Sequence, residues 1–582
     1  MDDVVLSRAT PLGGSFGLLD WLVVVGLFAL THWIGSRTAG KPATIRDFFL
    51  GGRKLPWYAV AASIIATEIS AVTLISLPAT VFNPGGNLTY LQLGIIGLFL
   101  ARWIVALVLI PRYFEREIYS PYDYMGNMLG PGVRSVATVL FSIGGVLGQA
   151  ARVYLTGVVL EVILAGPFGE LEAATGVRGL VWSVGAIGLV AVAWTWLGGM
   201  TTVIWTDAVL FAVFLIAIVA SIATAVAHVD GGVGTVVELA SAAEKLRFFD
   251  LNADPTVAYT LWAALIANTI VGVGVFGTDQ LMAQRVFCCG SVRDAQKAMV
   301  ASYGSMLVAV AVACVGLALY AYYQQHPLSG RALELYQEKP DRIFPLFIVG
   351  VLPSPLKGLI VAGAFAAAIS SLDSILAALS QTTLSAFYLP RRALVANLDD
   401  PAEQRRALKL SKALVVVFGV LLCVIALQCE VIARDPRFKS ILDLALAMPG
   451  YTQGALLAAF ALAFVWRGRI DGSGYLWSAP LSVLMVFSVA WHAQWAQWVT
   501  LVGGGALFLA WIAVRVVGGE RRDAALIGVQ SLVLAAGVGL AAWLVFRDKA
   551  PVAWPWFSPI GALTAFVFGW ALARARTSGP TD

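Results

Sequence analysis

Residues 51–79 read GGRKLPWYAVAASIIATEISAVTLISLPA. An apolar run long enough to cross a bilayer is interrupted here by Thr67, Glu68 and Ser70, and a proline follows at Pro78. A membrane helix keeps its backbone hydrogen bonds unless neighbouring helices, hydroxyl side chains or a water-lined cavity replace them. The segment therefore predicts a membrane helix that is broken near its middle, with backbone carbonyls freed at the break.

The composition places the rest of the chain in a bilayer as well. Of the 582 residues, 59% are hydrophobic and 13% are charged, and the mean hydropathy is +0.82. A soluble domain is about 45–50% apolar and about 25% charged, and a single soluble core stops growing near ~250–300 residues. Soluble enzymes, nucleic-acid-binding proteins, fibrous proteins and disulfide scaffolds are therefore excluded.

Apolar windows predict fifteen membrane helices. They lie at 17–37, 56–82, 88–111, 135–165, 179–197, 202–226, 257–284, 298–322, 356–384, 411–430, 442–466, 475–493, 498–516, 525–546 and 556–573. Lys and Arg number 24 in the loops on the side of the C-terminus and 13 on the opposite side, with two more inside spans. The excess of positive charge on cytoplasmic loops predicts a cell-membrane protein with its N-terminus outside and its C-terminus in the cytoplasm.

The sequence gives no support for a metal centre, nucleotide binding or catalysis. The five cysteines and four histidines are scattered without metal-ligand spacing, and no nucleotide-binding loop is present. A membrane enzyme would need a nucleophile–base pair or a metal cluster, and a transporter-like sensor would need a signalling domain. We therefore expect neither of these, and as partners we expect only the bilayer, a cation and a small solute, without nucleic acid or an obligate protein partner.

A second span also carries signs of a break. Span 257–284 contains Gly272, Gly274 and Gly277 in the run VGVGVFGTDQ, and glycine tolerates non-helical backbone. If the first span is set aside, the two interrupted spans become the first and sixth helices of a ten-helix core. Corresponding broken helices in two halves are typical of inverted-repeat transporters. The predicted organisation is an extra helix and linker at 1–55, repeats at 56–226 and 227–466, and extra helices at 467–582.

Span 356–384 holds the sharpest motif, AFAAAISSLDSILAALS at 364–380. Small residues at Ala366, Ala367 and Ala368 allow close helix approach, and the hydroxyls of Ser370 and Ser374 share a helix face. Hydroxyl and carbonyl oxygens suit a small hard cation. A simple packing seam with serines bonded to their own helix is the alternative interpretation.

Few ionisable residues lie inside the predicted spans, where they are costly and mark functional sites. They are Glu68, Arg102, Arg152, Asp207, Asp279 and Asp373, with Glu161 and Arg285 near span ends. Asp279 and Arg285 are expected to form a local pair, and Arg102 either to reach the interface or to support packing.

These motifs resemble the sodium/solute symporter family. The resemblance covers roughly residues 45–465 and rests on the segment at 51–79, WTD at 205–207, FGTDQLMAQR at 276–285 and AAAISSLDS at 366–374. It implies an all-α membrane protein with a LeuT-type repeat of five plus five helices, one extra N-terminal helix and about four extra C-terminal ones. It also implies that Na⁺ is the coupling ion.

The resemblance implies sodium ligands residue by residue. The principal site takes carbonyls of Ala66 and Ile69 from the first core helix, together with the Ala367 carbonyl and the hydroxyls of Ser370 and Ser371 from the eighth. Some members bind a second sodium, and the matching positions are Asp207, Asp373 and Ser374. Asp373 stands where the two-sodium pattern has serine, so one or two sodium ions remain open.

Substrate positions are implied in the same way. In the sugar-transporting branch an asparagine and a lysine contact the sugar, and here those places hold Gly272 and Met306, which argues against a galactose-type site. The sialic-acid branch is matched better, and the implied substrate-binding residues are Glu68, Ser70, Thr73, Gln92, Arg152, Gly272 and Val275. Arg152 suits a carboxylate because its guanidinium forms a bidentate charged hydrogen bond.

Glu68 decides between two substrate classes. An ionised Glu68 paired with Arg152 would favour a neutral polyol or a zwitterion, and a protonated Glu68 would donate to the substrate. The predicted function is sodium-coupled import of a small polar solute by alternating access, with an organic acid or a sugar-like molecule as substrate. The alternatives are a proton-coupled permease of the same fold and a sodium-coupled transporter of a neutral sugar or polyol.

Overall fold

The computed structural model describes residues 16–38, 49–115, 120–393, 400–432, 441–466, 469–517, 524–547 and 550–574. Side chains within helices at 38, 71, 197–199, 366–367, 393, 441, 444, 516–517 and 524 are outside this description. The described residues are almost entirely helical, with one isolated bridge between Leu55 and Cys289. An all-α membrane protein, as predicted, is confirmed.

Within the described ranges, twelve helices are long and apolar enough to cross a membrane, and two bent pairs raise the number to fourteen. The unbroken spans are Leu18–Arg37, Tyr90–Phe114, Pro131–Ile163, Gly179–Trp196, Met200–Ala227, Val292–Gln325, Leu356–Arg392, Pro401–Ile432, Ala445–Trp466, Ser473–Ala490, Gln494–Arg515 and Ala525–Val545. The predicted spans at 179–197 and 202–226 fall within one helical stretch, Gly179–Ala227. The fifteenth predicted span is a 15-residue helix, Phe557–Ala571.

The bent pairs are the two spans predicted to be broken. Trp57–Glu68 and Val72–Phe82 meet at 53°, and Ala263–Thr278 and Gln280–Phe287 meet at 52°. Counting from the first bent pair, these are the first and sixth of ten core helices, and the tenth is Ile441–Trp466. One helix precedes this core, and four follow it.

Short helices fill the longer connections between spans. They are Pro121–Leu129, Ala165–Thr175, Gly232–Ala242, Gly330–Glu338, Ile343–Gly350 and Leu389–Ala393. The charged segment at 390–412, predicted to be a surface helix, lies partly outside the described residues. From Pro401 onward it is the first part of the helix Pro401–Ile432.

Lys245 ties one of these connections to the first core helix. Its ammonium donates to the carbonyls of Val81, Phe82, Asn83 and Gly86 at 2.8, 2.9, 3.0 and 3.3 Å. The last carbonyls of a helix lack partners within the helix, so the ammonium caps Ala71–Phe82 from outside. Burial lowers the pKa of Lys245 to about 8.

Glycine contacts join the tenth core helix to the C-terminal helices, and these helices to each other. A Cβ at Gly454 of the tenth core helix would lie 2.4 Å from the Ser558 carbonyl oxygen. Between two C-terminal helices, a Cβ at Gly474 would lie 2.2 Å from the Gly569 carbonyl oxygen. Only the absence of a side chain permits such backbone contact, which is the usual role of small residues between membrane helices. The C-terminal helices are therefore packed directly onto the core.

Candidate sodium and substrate site

The first core helix breaks over two residues. The helix Trp57–Glu68 ends at Ile69, which has φ −85° and ψ 91°, and Ser70 is extended before helix resumes at Ala71. Among the described residues, no backbone amide donates to the carbonyls of Ala66 or Ile69. Both residues line a small cavity closed on the other side by Leu210, Phe211 and Phe214 of the fifth core helix. Two carbonyls are thus free beside a cavity, which is what a coordinated cation requires.

The sixth core helix breaks at Asp279, and the predicted break at the glycines is wrong. Asp279 has φ −81° and ψ 126°, and its carboxylate accepts the amide hydrogen of Leu281 at 2.8 Å. A carboxylate at the start of a helix stabilises the unpaired amides there. The side chain therefore caps the new helix Gln280–Phe287.

The three glycines before this break serve helix packing instead. A Cβ at Gly272 would meet Ala101 at 2.6 Å, and one at Gly277 would meet Leu109 at 2.3 Å, both on the second core helix. Gly274 approaches Gln453 of the tenth core helix in the same way. Gly272, predicted to bind substrate, is buried in this helix contact, while Val275 is partly exposed.

Asp207 is the centre of a buried polar network on the fifth core helix. Its Oδ2 accepts from Ser63 Oγ at 2.6 Å and from Arg285 Nη2 at 3.1 Å, and its Oδ1 accepts from Ser370 Oγ. The side chains of Arg285 and Asp207 are 1% and 0% exposed. The expected local pair of Asp279 and Arg285 is therefore wrong, because each residue has a different role.

The predicted ligands on the eighth core helix lie next to this network. Ser370 and Ser371 are 0% and 2% exposed, and both lie on the helix Leu356–Thr383. Ser370 donates its hydroxyl hydrogen to Asp207, which leaves the oxygen lone pairs available to a cation. Ala367 lies on the same helix, and its side chain is outside the description.

The three residues proposed for a second sodium are close together but already hydrogen-bonded. Ser374 Oγ accepts from Arg285 and donates to the Ser370 carbonyl at 2.6 Å, with a further contact to Asp373 Oδ1 at 3.2 Å. The Asp373 carbonyl accepts from Thr195 Oγ1 at 3.3 Å. A guanidinium therefore occupies the space between Asp207 and Ser374.

Glu68 pairs with Arg102, and not with Arg152 as one of the two alternatives for Glu68 supposed. Arg102 Nη2 donates to Glu68 Oε2, and the same guanidinium donates to Ser302 at 3.0 Å and Ser305 at 3.1 Å. It also stacks over the Phe276 ring at 4.0 Å. Arg102 is 1% exposed, so it does not reach the membrane interface. Its role is also more than packing, because it is the cation that neutralises Glu68.

Arg152 is left without such a partner. It lies near the middle of the helix Pro131–Ile163, within electrostatic range of Tyr90, Glu68 and Asp279. Within the part of the chain that the structure describes, its guanidinium makes no hydrogen bond or ion pair. A cation in a membrane helix is costly when unpaired, so this guanidinium requires an anion or water beside it.

The remaining predicted substrate residues are Ser70, Thr73 and Gln92. Ser70 is buried beside the break and Thr73 is partly exposed one turn further on. Gln92 Nε2 donates to the Tyr259 carbonyl at 2.9 Å, while its Oε1 is buried without a hydrogen-bond partner. A buried amide oxygen of this kind favours a donor from a bound molecule.

Sequence reasoning missed Ser63 and assigned the wrong partner to Arg285. Ser63 lies within an apolar run of the first core helix, and the sequence offers no signal for its bond to Asp207. The bonding partner of Arg285 was assigned by proximity in sequence, although its true partner is 78 residues away. Only the tertiary packing identifies both.

Two interrupted helices with free carbonyls and buried charge beside them define a secondary transporter. The chain belongs to the sodium:solute symporter family, whose family model matches residues 48–481. The mouse sodium-coupled monocarboxylate transporter 2 is 28% identical over 471 residues, which cover 79% of this chain and 71% of that protein. The human sodium/iodide cotransporter is 26% identical over 463 residues, which cover 77% of this chain and 66% of that protein.

A solved structure agrees with the fold. A Na⁺-coupled sialic acid symporter in a substrate-bound outward-open state superposes with a TM-score of 0.72 at 22% identity, covering 97% of this chain and 100% of that chain. The LeuT-type fold is therefore confirmed. Membership of the sodium:solute symporter family, shown by the family model, confirms sodium as the coupling ion. The protein is a multi-pass membrane transporter that couples a small solute to sodium, and it is not an enzyme.

Proposed function

We propose that the protein imports a small organic anion with one carboxylate, and that Arg152 binds that carboxylate. The observation that carries the proposal is the unpaired guanidinium of Arg152 in the middle of the third core helix. A planar guanidinium holds a carboxylate by two parallel charged hydrogen bonds. A monocarboxylate would thereby supply the counter-ion that the protein itself does not provide.

The pairing of Glu68 with Arg102 supports this substrate class. If Glu68 neutralised Arg152, an arriving carboxylate would have to displace an internal carboxylate. Instead Glu68 Oε2 is held by Arg102, and Arg102 is fixed further by Ser302 and Ser305. The neutral-polyol alternative loses its main argument, because it depended on the Glu68–Arg152 pair.

The relatives support an anion of single charge. Two of them are named for monocarboxylates and for iodide. These substrates differ in shape and share one negative charge, which fits a site that relies on one guanidinium. Substrate contacts are proposed for Glu68, Ser70, Thr73, Gln92, Arg152 and Val275, and Gly272 is proposed to shape the cavity by allowing close helix packing.

Sodium is proposed to bind the carbonyls of Ala66, Ile69 and Ala367 and the hydroxyls of Ser370 and Ser371. This set would join the break in the first core helix to the eighth core helix. Sodium would favour the state in which these helices are together, and substrate between the broken helices would then permit closure. Opening to the other side would separate the ligands and release sodium.

The direction of transport and the membrane topology are part of the proposal. The distribution of Lys and Arg supports an N-terminus outside the cell and a C-terminus in the cytoplasm. The two bent helices support repeats at 56–226 and 227–466, with extra helices at 1–55 and 467–582. Import then follows the inward sodium gradient across the cell membrane.

Transport into proteoliposomes tests the function. Uptake of labelled lactate should require an inward sodium gradient and should stop when choline replaces sodium. Lactamide, which has the same shape without the carboxylate, should neither be taken up nor compete. Competition by lactamide equal to that by lactate would refute the carboxylate site. Uptake driven by a pH gradient without sodium would show proton coupling instead.

A further inference from the structure

The Arg285 guanidinium is buried among the core helices and held on several sides. Its Nε donates to Ser63 Oγ at 2.9 Å, its Nη1 to the Leu281 carbonyl at 2.6 Å, and its Nη2 to Asp207 and to Ser374. The partners come from the first, fifth, sixth and eighth core helices. This cation is therefore a fixed part of the structure and not a side chain that happens to lie nearby.

The atoms around the guanidinium are oxygens of the kind that bind a small hard cation. Asp207 provides two carboxylate oxygens, and Ser63, Ser370 and Ser374 provide hydroxyl oxygens. Sodium takes such carboxylate and hydroxyl ligands in proteins, as other hard cations do. An oxygen cluster suited to a sodium ion is thus filled by a side chain of the protein itself.

We infer that Arg285 is a built-in cation that takes the place of a second sodium ion, so that the protein binds one sodium per transport cycle. A buried carboxylate such as Asp207 needs a positive partner. In this chain the partner is covalently attached, so it is present at every sodium concentration. The residues predicted for a second sodium, Asp207, Asp373 and Ser374, then form a structural ion-pair network.

The charges of the cluster agree with a built-in cation. Asp207 and Arg285 form a buried ion pair, and Asp373 contacts Ser374, which accepts a hydrogen bond from Arg285. A second sodium among these oxygens would place two cations beside the Asp207 carboxylate in a site from which solvent is excluded.

Binding of ²²Na⁺ to the purified full-length protein in detergent tests the inference without reference to any substrate. The wild type should bind about one sodium per chain. Arg285→Ala removes the built-in cation and leaves the oxygens of Asp207, so it should bind about two. Arg285→Lys keeps a positive charge, and the double variant Asp207→Asn with Arg285→Ala removes the carboxylate, so both should remain at about one.

The outcomes are distinct. Two sodium ions bound to the wild type would overturn the inference, and so would a folded Arg285→Ala variant that still binds one. If Arg285→Ala does not fold without sodium, its melting temperature should rise with sodium far more steeply than that of Arg285→Lys. An equal sodium dependence in these two variants would overturn the inference as well.

The inference rests on sodium coupling but not on the proposed substrate. A wild type that binds no sodium would refute the coupling itself. A wild type that binds one sodium but ignores lactate would refute only the assignment of Arg152. Failure of either proposal is therefore recognisable separately from failure of the role of Arg285.

Discussion

Replacing Arg152 is the most direct test of how this protein selects its substrate. Arg152→Lys keeps the positive charge but not the planar fork, and Arg152→Met removes the charge while keeping much of the length. Because Glu68 is held by Arg102, removing Arg152 leaves no internal carboxylate without its partner. The effect on substrate binding can therefore be interpreted separately from an effect on folding.

The expected magnitude follows from the two hydrogen bonds of a bidentate pair. A hydrogen bond to a charged group contributes about 1.5–3 kcal/mol, and no internal ion pair has to be broken first. Arg152→Met should then lose about 3 kcal/mol or more, which corresponds to at least about 100-fold weaker binding of lactate. Arg152→Lys retains the charge and one bond, so it should lose about tenfold.

Equilibrium binding of labelled lactate at saturating sodium is the appropriate assay. Arg178→Met is a matched control, because Arg178 forms an exposed ion pair with Glu430 at 2.7 Å and such pairs contribute little. Lactate binding to Arg152→Met within about threefold of the wild type would be less than the value of one such bond. That result would refute the role assigned to Arg152.

Three further predictions concern other parts of the molecule. Ser371→Ala should raise the sodium concentration for half-maximal uptake, because one hydroxyl ligand is lost. The melting temperature of the wild type relative to Lys245→Met should rise between pH 8 and 10, because the folded protein releases the Lys245 proton near pH 8 while the unfolded chain keeps it to about 10.5. Gly277→Leu should destabilise the fold by about 1–3 kcal/mol by overpacking against Leu109, measured as a lower melting temperature.

Each of these has a control or a contradicting result. Thr382→Ala lies on the same helix as Ser371 but its hydroxyl bonds the Ala378 carbonyl of that helix, so sodium dependence should stay unchanged. A difference for Lys245 that does not rise between pH 8 and 10 would show that the four carbonyls keep the ammonium charged. Gly528→Leu, at a glycine with open space around it, should be tolerated; equal loss at both glycines would refute the packing argument.

The sequence predicted features that depend on local chemistry. The break after Glu68 follows from polar residues within an apolar run, and the buried serines on the eighth core helix follow from their spacing. Pairings between distant residues were not predictable. For an ionised Glu68 the sequence offered Arg152 as a partner, whereas the structure pairs Glu68 with Arg102. Both arginines lie in predicted spans, and only the tertiary packing decides which one approaches.

The glycines of the sixth core helix show a second limit of prediction from sequence. A glycine in a membrane helix permits either a break or a close contact, and sequence alone does not distinguish these. In the sixth core helix Gly272 and Gly277 are contact positions, and the break falls at Asp279, whose side chain caps the following helix. The orientation of the chain and the boundaries of its repeats stay predictions from charge and symmetry.

The backbone contacts at Gly454 and Gly474 set a mechanical condition on the transport cycle. Two helices whose backbones touch cannot rotate or slide independently, since any side chain or displacement there meets backbone atoms. The tenth core helix is thus fixed to the C-terminal helices, and its Gln453 is bonded both to Ser558 and to Val271 of the sixth core helix. We therefore expect the tenth core helix and the C-terminal helices to stay fixed during transport, while the first and eighth core helices move relative to them.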